Sequence, residues 1–70
     1  MKLENGKKLI DLKTGTSYEL KPAKKYGFPY GFAIVKSEYD GEHWRKKDLR
    51  VFATEYSAIY WFNNKRKNDF

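Results

Sequence analysis

The side chains best suited to chemistry in this sequence are cations that alternate with aromatic rings. Lysine and arginine neutralise phosphates, and guanidinium or aromatic planes can also stack on nucleobases. These side chains form two clusters, one in the middle of the chain and one directly after an Asp-Gly pair. The first comprises Lys21, Lys24, Lys25, Tyr26, Phe28 and Tyr30, and the second comprises Trp44, Arg45, Lys46, Lys47 and Arg50.

The two clusters differ in how strongly they indicate a function. In the first, the aromatic rings could equally cap a hydrophobic core while the lysines are only solvated. In the second, three adjacent cations place like charge on both faces of one strand, which favours a binding role. We therefore expect a nucleic-acid-binding surface, with DNA as the first ligand to consider. Its predicted members are Lys24, Lys25, Trp44, Arg45, Lys46, Lys47 and Arg50.

The sequence carries no signature of catalysis or of metal binding. It has no cysteine and His43 is its only histidine, which excludes thiolate and imidazole metal cages. Glu38, Asp40 and Glu42 bracket a turn and provide too few ligands for calcium. No glycine-rich loop leads into a helix, as a phosphate cradle would require. We expect a protein that is not an enzyme and has no cofactor, metal ion or small-molecule substrate.

Length and charge narrow the class of protein further. Seventy residues make one domain, residues 1–70, and a net charge of +6 attracts polyanions at long range, although it could serve solubility alone. Two Trp, six Tyr and five Phe can form a core without disulfides and leave some rings exposed. No stretch approaches the roughly 18 apolar residues of a membrane span, and the N-terminus lacks a signal-peptide core. We expect a cytoplasmic protein that does not bind membranes.

Apolar alternation predicts three strands in the first part of the chain. The first two form a hairpin around a tight turn in which Gly15 takes a positive φ. The third is nearly continuous in apolar residues, so we expect it to be central and buried on both faces. The predicted strands run from about Lys8 to Lys13, Ser17 to Lys21 and Phe32 to Glu38, and an irregular segment, Pro22–Gly31, precedes the third.

A fourth strand, from about His43 to Ala53, carries the whole second cluster. The Asp-Gly pair before it favours a type I′ hairpin turn, and its length predicts a bulge near Lys47 and Asp48. On a regular strand, alternate side chains point to opposite faces. We therefore expect Arg45 and Lys47 on the open face of the sheet. Lys46 and Arg50 should start from the face beneath a helix and reach round the edge of the sheet.

The last predicted element is an amphipathic helix. Thr54 is a suitable N-cap, and Glu55 suits the positive end of the helix dipole. Ala58, Trp61 and Phe62 share one face and should pack on the sheet near Phe52 and Ile34. Cations suit the last turn, here Lys65, Arg66 and Lys67. The predicted fold class is α+β: a small antiparallel sheet of three to four strands with one C-terminal helix packed on one face.

The segment Gly31–Asn64 combines a strand, an acidic Gly turn, a basic strand and Phe52-Ala53-Thr54-Glu55-Tyr56-Ser57-Ala58 at the start of a helix. This segment resembles the arm-type DNA-binding domains at the N-termini of tyrosine-family integrases, which show a similar Phe-x-Thr-x-x-x-Ala ending. The resemblance covers about half of the chain. It implies that a three-stranded sheet enters the major groove of DNA.

Tyr56 and Tyr60 support a different function. They are four residues apart on the predicted helix, opposite the stripe that packs on the sheet. An exposed aromatic pair is typical of protein interfaces, where tyrosine often dominates the binding energy. The chain would then be a phage or mobile-element accessory protein that binds or inhibits another protein, or a homodimer. Alternatively, the first hairpin folds over the helix and buries both rings.

Overall fold

The computed structural model describes Leu3 and residues 8–64. In this part of the chain the strands form one antiparallel sheet in the order β1-β2-β3-β4, followed by a single α-helix. This confirms the predicted α+β fold class. Lys65, Arg66 and Lys67, proposed for the last helical turn, lie outside the described residues. The elements are β1 (Lys8–Asp11), β2 (Thr16–Pro22), a 3₁₀ turn (Ala23–Tyr26), β3 (Phe32–Tyr39), β4 (Trp44–Phe52) and α1 (Glu55–Asn64).

Helix α1 covers one face of the sheet, called here the helix face. Phe62 is 1% exposed, and its ring meets Tyr18 edge-on with 4.8 Å between the ring centroids. Trp61 is half-buried and packs against Phe52, with 5.3 Å between the two ring centroids. The predicted apolar stripe of the helix therefore packs on the sheet as expected. The buried cluster on this face also includes Leu3, Leu20, Ile34 and Ala58.

The start of α1 agrees with the prediction. Thr54 precedes the helix, and its Oγ1 accepts a hydrogen bond from the backbone N–H of Ser57 at 3.0 Å. The Thr54 hydroxyl also donates to Ser57 Oγ at 2.9 Å. Because the first backbone N–H groups of a helix have no intrahelical acceptor, this side chain supplies one and fixes where the helix begins.

Leu3 is a core residue that the sequence patterns did not single out. Its side chain is buried, and its backbone N–H donates to Asn63 Oδ1 at 2.9 Å. Asn63 Nδ2 donates back to the Leu3 carbonyl at 3.5 Å. One side-chain amide therefore ties Leu3 to the last turn of α1. An isolated leucine has no periodicity, so the pattern rules could not find it.

The connection between β3 and β4 differs from the predicted type I′ turn. Tyr39 pairs with Trp44, so the loop contains the four residues Asp40–His43. Within this loop Gly41 alone has a positive φ, 104°, whereas a type I′ turn needs two successive residues with positive φ. The prediction of a type I′ turn is therefore wrong.

Strand β4 contains a β-bulge at the predicted position. Lys36 of β3 pairs with Asp48, and the next residue, Ser37, pairs with Lys46. Lys47 is thus an extra residue in β4 with no partner of its own in the ladder. A bulge of this kind bends the strand and breaks the alternation of its side chains.

The bulge reverses part of the predicted arrangement of cations. Lys46 lies on the open face, opposite the helix, because it pairs with Ser37. Arg45 pairs with Glu38 and lies on the helix face. The prediction that placed Arg45 on the open face and Lys46 on the helix face is wrong, because one extra residue shifts the alternation beyond it. Arg50 lies on the helix face, as expected.

The 3₁₀ turn covers part of the open face. It lies against β3, and the Ala23 backbone N–H donates to the Gly31 carbonyl at 3.0 Å. Ala33 and Val35, which point to the open face, are buried. The third strand is therefore buried on both faces, as predicted. The segment expected to be irregular contains this ordered turn.

Candidate nucleic-acid interface

The fold brings the two clusters of cations together. The Lys46 ammonium lies 5.1 Å from the centroid of the Tyr26 ring, in a cation–π contact between β4 and the 3₁₀ turn. Lys24 and Lys25 precede Tyr26 in the same turn, and both are exposed. Lys47, the bulge residue, is exposed next to Lys46. We call these four lysines, Lys24, Lys25, Lys46 and Lys47, the basic edge.

Trp44 extends the basic edge with an aromatic surface. It lies on the open face two residues before Lys46, and its side chain is exposed. The ring centroids of Trp44 and Tyr39 are 5.3 Å apart, and the interplanar angle is 48°. This contact holds the indole near Lys46, where it can touch a sugar or a base of a strand bound to the lysines.

Elsewhere on the open face, one lysine is paired with a carboxylate. On β2, Lys21 forms an ion pair with Glu19, with 3.4 Å between Nζ and Oε1. The two side chains are both about one third exposed, so the pair keeps part of its hydration. Lys8 of β1 pairs with Glu19 in the ladder, so it also lies on this face, at the edge of the sheet opposite to β4.

Arg50 is separated from the basic edge by the sheet. Its guanidinium carbon lies 5.6 Å from the centroid of the Trp61 ring, on the helix face. The arginine thereby covers part of the indole that packs on Phe52. The predicted set of binding residues does not form one continuous surface, because Arg50 belongs to the opposite face.

Arg45 is held by Asp40 in the loop before β4. Arg45 Nε donates to Asp40 Oδ2, and Asp40 Oδ1 accepts from the backbone N–H groups of His43 at 2.8 Å and Glu42 at 2.9 Å. These bonds, with the His43 amide the strongest, lower the pKa of Asp40 from 3.8 to about 2. Asp40 is therefore ionised at neutral pH and offsets the charge of Arg45. The Asp-Gly pair predicted a turn here, but nothing in the pattern identified this ion pair.

Phe28 and Tyr30, members of the first cluster, do not cap the core. Phe28 is 41% exposed and Tyr30 is 73% exposed. Tyr26 alone of the three rings is half-buried, beneath Lys46. The core-capping interpretation thus fits Tyr26 and is wrong for the other two. Their exposure follows from the loop that carries them, which alternation cannot predict.

Tyr56 and Tyr60 form an exposed pair on α1. Their rings are stacked with 6.2 Å between centroids and an interplanar angle of 20°. Tyr56 is 77% exposed and Tyr60 is 47% exposed. The alternative in which the first hairpin buries both rings is therefore wrong.

Leu3 and residues 8–64 contain neither a metal-binding group of side chains nor a helix that could span a membrane. Among these residues no three His, Cys, Asp or Glu side chains are grouped so that they could hold a metal ion. Within the same residues, no helix combines the length and the apolar character needed to cross a membrane. No protein family, curated protein or solved structure matches this chain.

Proposed function

We propose that the protein binds nucleic acid, DNA in the first place, through the basic edge and without catalysing a reaction. The observation that supports this most is the contact between Lys46 and Tyr26. It joins the lysines of the 3₁₀ turn to those of β4, although the two segments are distant in sequence. Exposed lysines on two segments that this contact joins, with the exposed ring of Trp44 on the same face as Lys46, suit a phosphate backbone.

The geometry favours binding in which the nucleic-acid backbone runs along the basic edge. It disfavours an arrangement in which the sheet lies flat in a groove of DNA. The 3₁₀ turn covers Ala33 and Val35 in the middle of the open face. Arginine is the residue that most often reads base edges, and of the two arginines in β4, Arg45 is paired with Asp40 and Arg50 lies on the helix face. Contacts to phosphates by lysines carry no sequence information, so we expect binding that depends on salt more than on sequence.

A salt titration of binding to duplex DNA of random sequence tests this proposal. Neutralising about four phosphates makes log K fall with log salt concentration at a slope of about −3 to −4. A slope near zero, or no binding to any duplex or single strand at about 50 mM salt, would contradict the proposal. Either result would favour the second candidate function.

The second candidate function is binding to a protein through Tyr56 and Tyr60, by an accessory module or a homodimer. The supporting observation is that both rings are exposed and stacked on each other on the outer side of α1. Stacking restricts the side chains before a partner arrives, which lowers the entropy lost on binding. Tyrosines of this kind are frequent hot spots of protein interfaces.

A further inference from the structure

A cleft of about 270 Å³ lies where the loop after the 3₁₀ turn meets the end of β4. It is mainly apolar, and no charged side chain lines it. Small-molecule and cofactor sites occupy roughly 300–1,000 Å³, so this cleft has room for one ring system and little more. Its walls are Phe28, Pro29 and Tyr30 on the loop side and Val51, Phe52 and Ala53 on the strand side.

The loop wall of the cleft is held in place by its backbone. Gly27 and Gly31 bracket the segment with φ of 91° and 98°, a region that side chains disfavour. A Cβ at Gly31 would lie 2.5 Å from the carbonyl oxygen of Phe52, so the loop touches the strand backbone directly. The Phe28 N–H donates to the Ala23 carbonyl at 3.3 Å. The exposed rings are therefore presented by an ordered loop.

On its loop side, the cleft lies close along the chain to the proposed phosphate-binding residues. Its loop wall begins two residues after Tyr26, which Lys46 covers, and three residues after Lys25. Its strand wall, 51–53, continues β4 beyond the cations. A ligand that fits both features has a flat apolar ring and a phosphate joined by a short linker. A nucleotide unit has this composition.

We propose that the cleft takes the base of an unpaired nucleotide, so that the protein prefers single-stranded DNA or RNA over duplex DNA. This inference rests on the proposed function, since it assigns a base site beside the phosphate site. In a duplex, each base is covered by its neighbours and offers only an edge to a protein. An unpaired base exposes its face and can lie against Phe28 or Tyr30, as bases do on aromatic platforms in single-strand binders.

A short oligothymidine strand and an abasic strand of the same length test the base site with the wild-type protein. The two strands carry the same phosphates and differ only in their bases. We expect the oligothymidine to bind about 5- to 100-fold more tightly, the range that stacking of one base supplies. Equal affinity, with a salt slope retained for both strands, would overturn the base site and leave the basic edge intact. Binding to neither strand and to no duplex would overturn the proposed function itself.

Variants then locate the site. Phe28→Leu combined with Tyr30→Leu keeps the cleft apolar but removes both rings, and it should abolish the preference for oligothymidine without changing the salt slope. Because both rings are exposed, the double variant should remain folded, and circular dichroism checks this. Tyr56→Leu, an exposed tyrosine on α1, is the matched control and should leave the preference unchanged. A preference that survives in the double variant would place the base elsewhere and overturn the inference.

Discussion

The Lys46 ammonium lies over the ring of Tyr26, 5.1 Å from its centroid. One residue belongs to β4 and the other to the 3₁₀ turn, so the contact crosses from one cluster of the sequence to the other. Lys46 reaches the ring because the bulge at Lys47 turns it to the open face. The position of one extra residue in a strand therefore decides whether the two clusters meet.

A double-mutant cycle should detect this contact. Tyr26→Leu and Lys46→Met keep apolar bulk while removing the ring or the charge. We expect a coupling of about 0.5–1 kcal/mol in the free energy of unfolding, as for exposed cation–π pairs. Tyr26→Phe retains the ring face and should retain the coupling. A coupling free energy of zero would mean that this pair does not hold the 3₁₀ turn against β4.

Replacing two lysines of the basic edge should reduce the salt dependence of DNA binding. Lys46→Ala with Lys47→Ala removes two phosphate contacts and should flatten the slope by about two units. Lys8→Ala with Lys13→Ala removes the same charge from β1 and the turn after it, at the other edge of the sheet. That control should leave the slope nearly unchanged. Equal effects of the two pairs would indicate attraction by net charge alone.

The substitution Asp40→Asn should destabilise the protein at neutral pH. In acid, the difference in stability between wild type and variant should disappear. The folded-state pKa of Asp40, about 2, is below its ordinary value of 3.8, so the stabilisation is present above pH 3.8 and disappears as the pH falls towards 2. Urea unfolding of wild type and variant across this range measures the difference. Glu42→Gln removes the same charge from the same loop and is the control. A difference independent of pH would show that the charge of Asp40 is not responsible.

Gly31→Ala and Gly27→Ala should differ in their effect on stability. Both glycines have positive φ, so each alanine introduces backbone strain of about 1 kcal/mol. At Gly27 an added Cβ meets nothing within 4 Å, whereas at Gly31 it meets the Phe52 carbonyl oxygen. We expect Gly31→Ala to reduce the free energy of unfolding by roughly 3 kcal/mol, with overpacking added to strain. Similar thermal midpoints for the two variants would contradict the close approach of loop and strand.

Tyr56→Ser with Tyr60→Ser tests the exposed aromatic pair. If the pair is an interface, the wild type should self-associate or hold a protein partner, and the variant should do neither. Sedimentation velocity over a range of concentrations measures self-association. Leu12→Ser, at an exposed apolar residue of the β1–β2 turn, is a control that should behave as wild type. Identical monomers with no bound partner in wild type and variant would argue against the interface.

The four strands and the α-helix were predictable from sequence because each one satisfies a local rule, whereas the 3₁₀ turn was not. Thr54 caps α1, and Ala58 and Phe62 recur at helical spacing and are buried. The loop after Tyr39 was not predictable, because the Asp-Gly pair suits a type I′ turn as well as the longer loop that Asp40 closes with its carboxylate. Local preference identified a turn, but the register of the two strands set its length.

The candidate site was predictable as a set of residue types but not as a surface. The cations of β4 were identified from their density, and the bulge near Lys47 from the length of the strand. Which side chains of β4 change face at the bulge depends on the pairing of Ser37 with Lys46. This is a contact between strands, and the alternation within one strand does not predict it. Alternation does place Arg50 on the helix face, but it cannot predict the contact with Trp61 that the guanidinium makes there.

Strand β4 is an outermost strand of the sheet, and its backbone could accept a further strand from another molecule. Two copies aligned through β4 would bring their lysines and arginines close together, and the bulge would interrupt the new ladder. Like-charge repulsion thus opposes aggregation of the free protein. A bound polyanion or high salt removes that repulsion. If the protein binds nucleic acid as proposed, chains in that complex would form intermolecular sheets more readily than free chains.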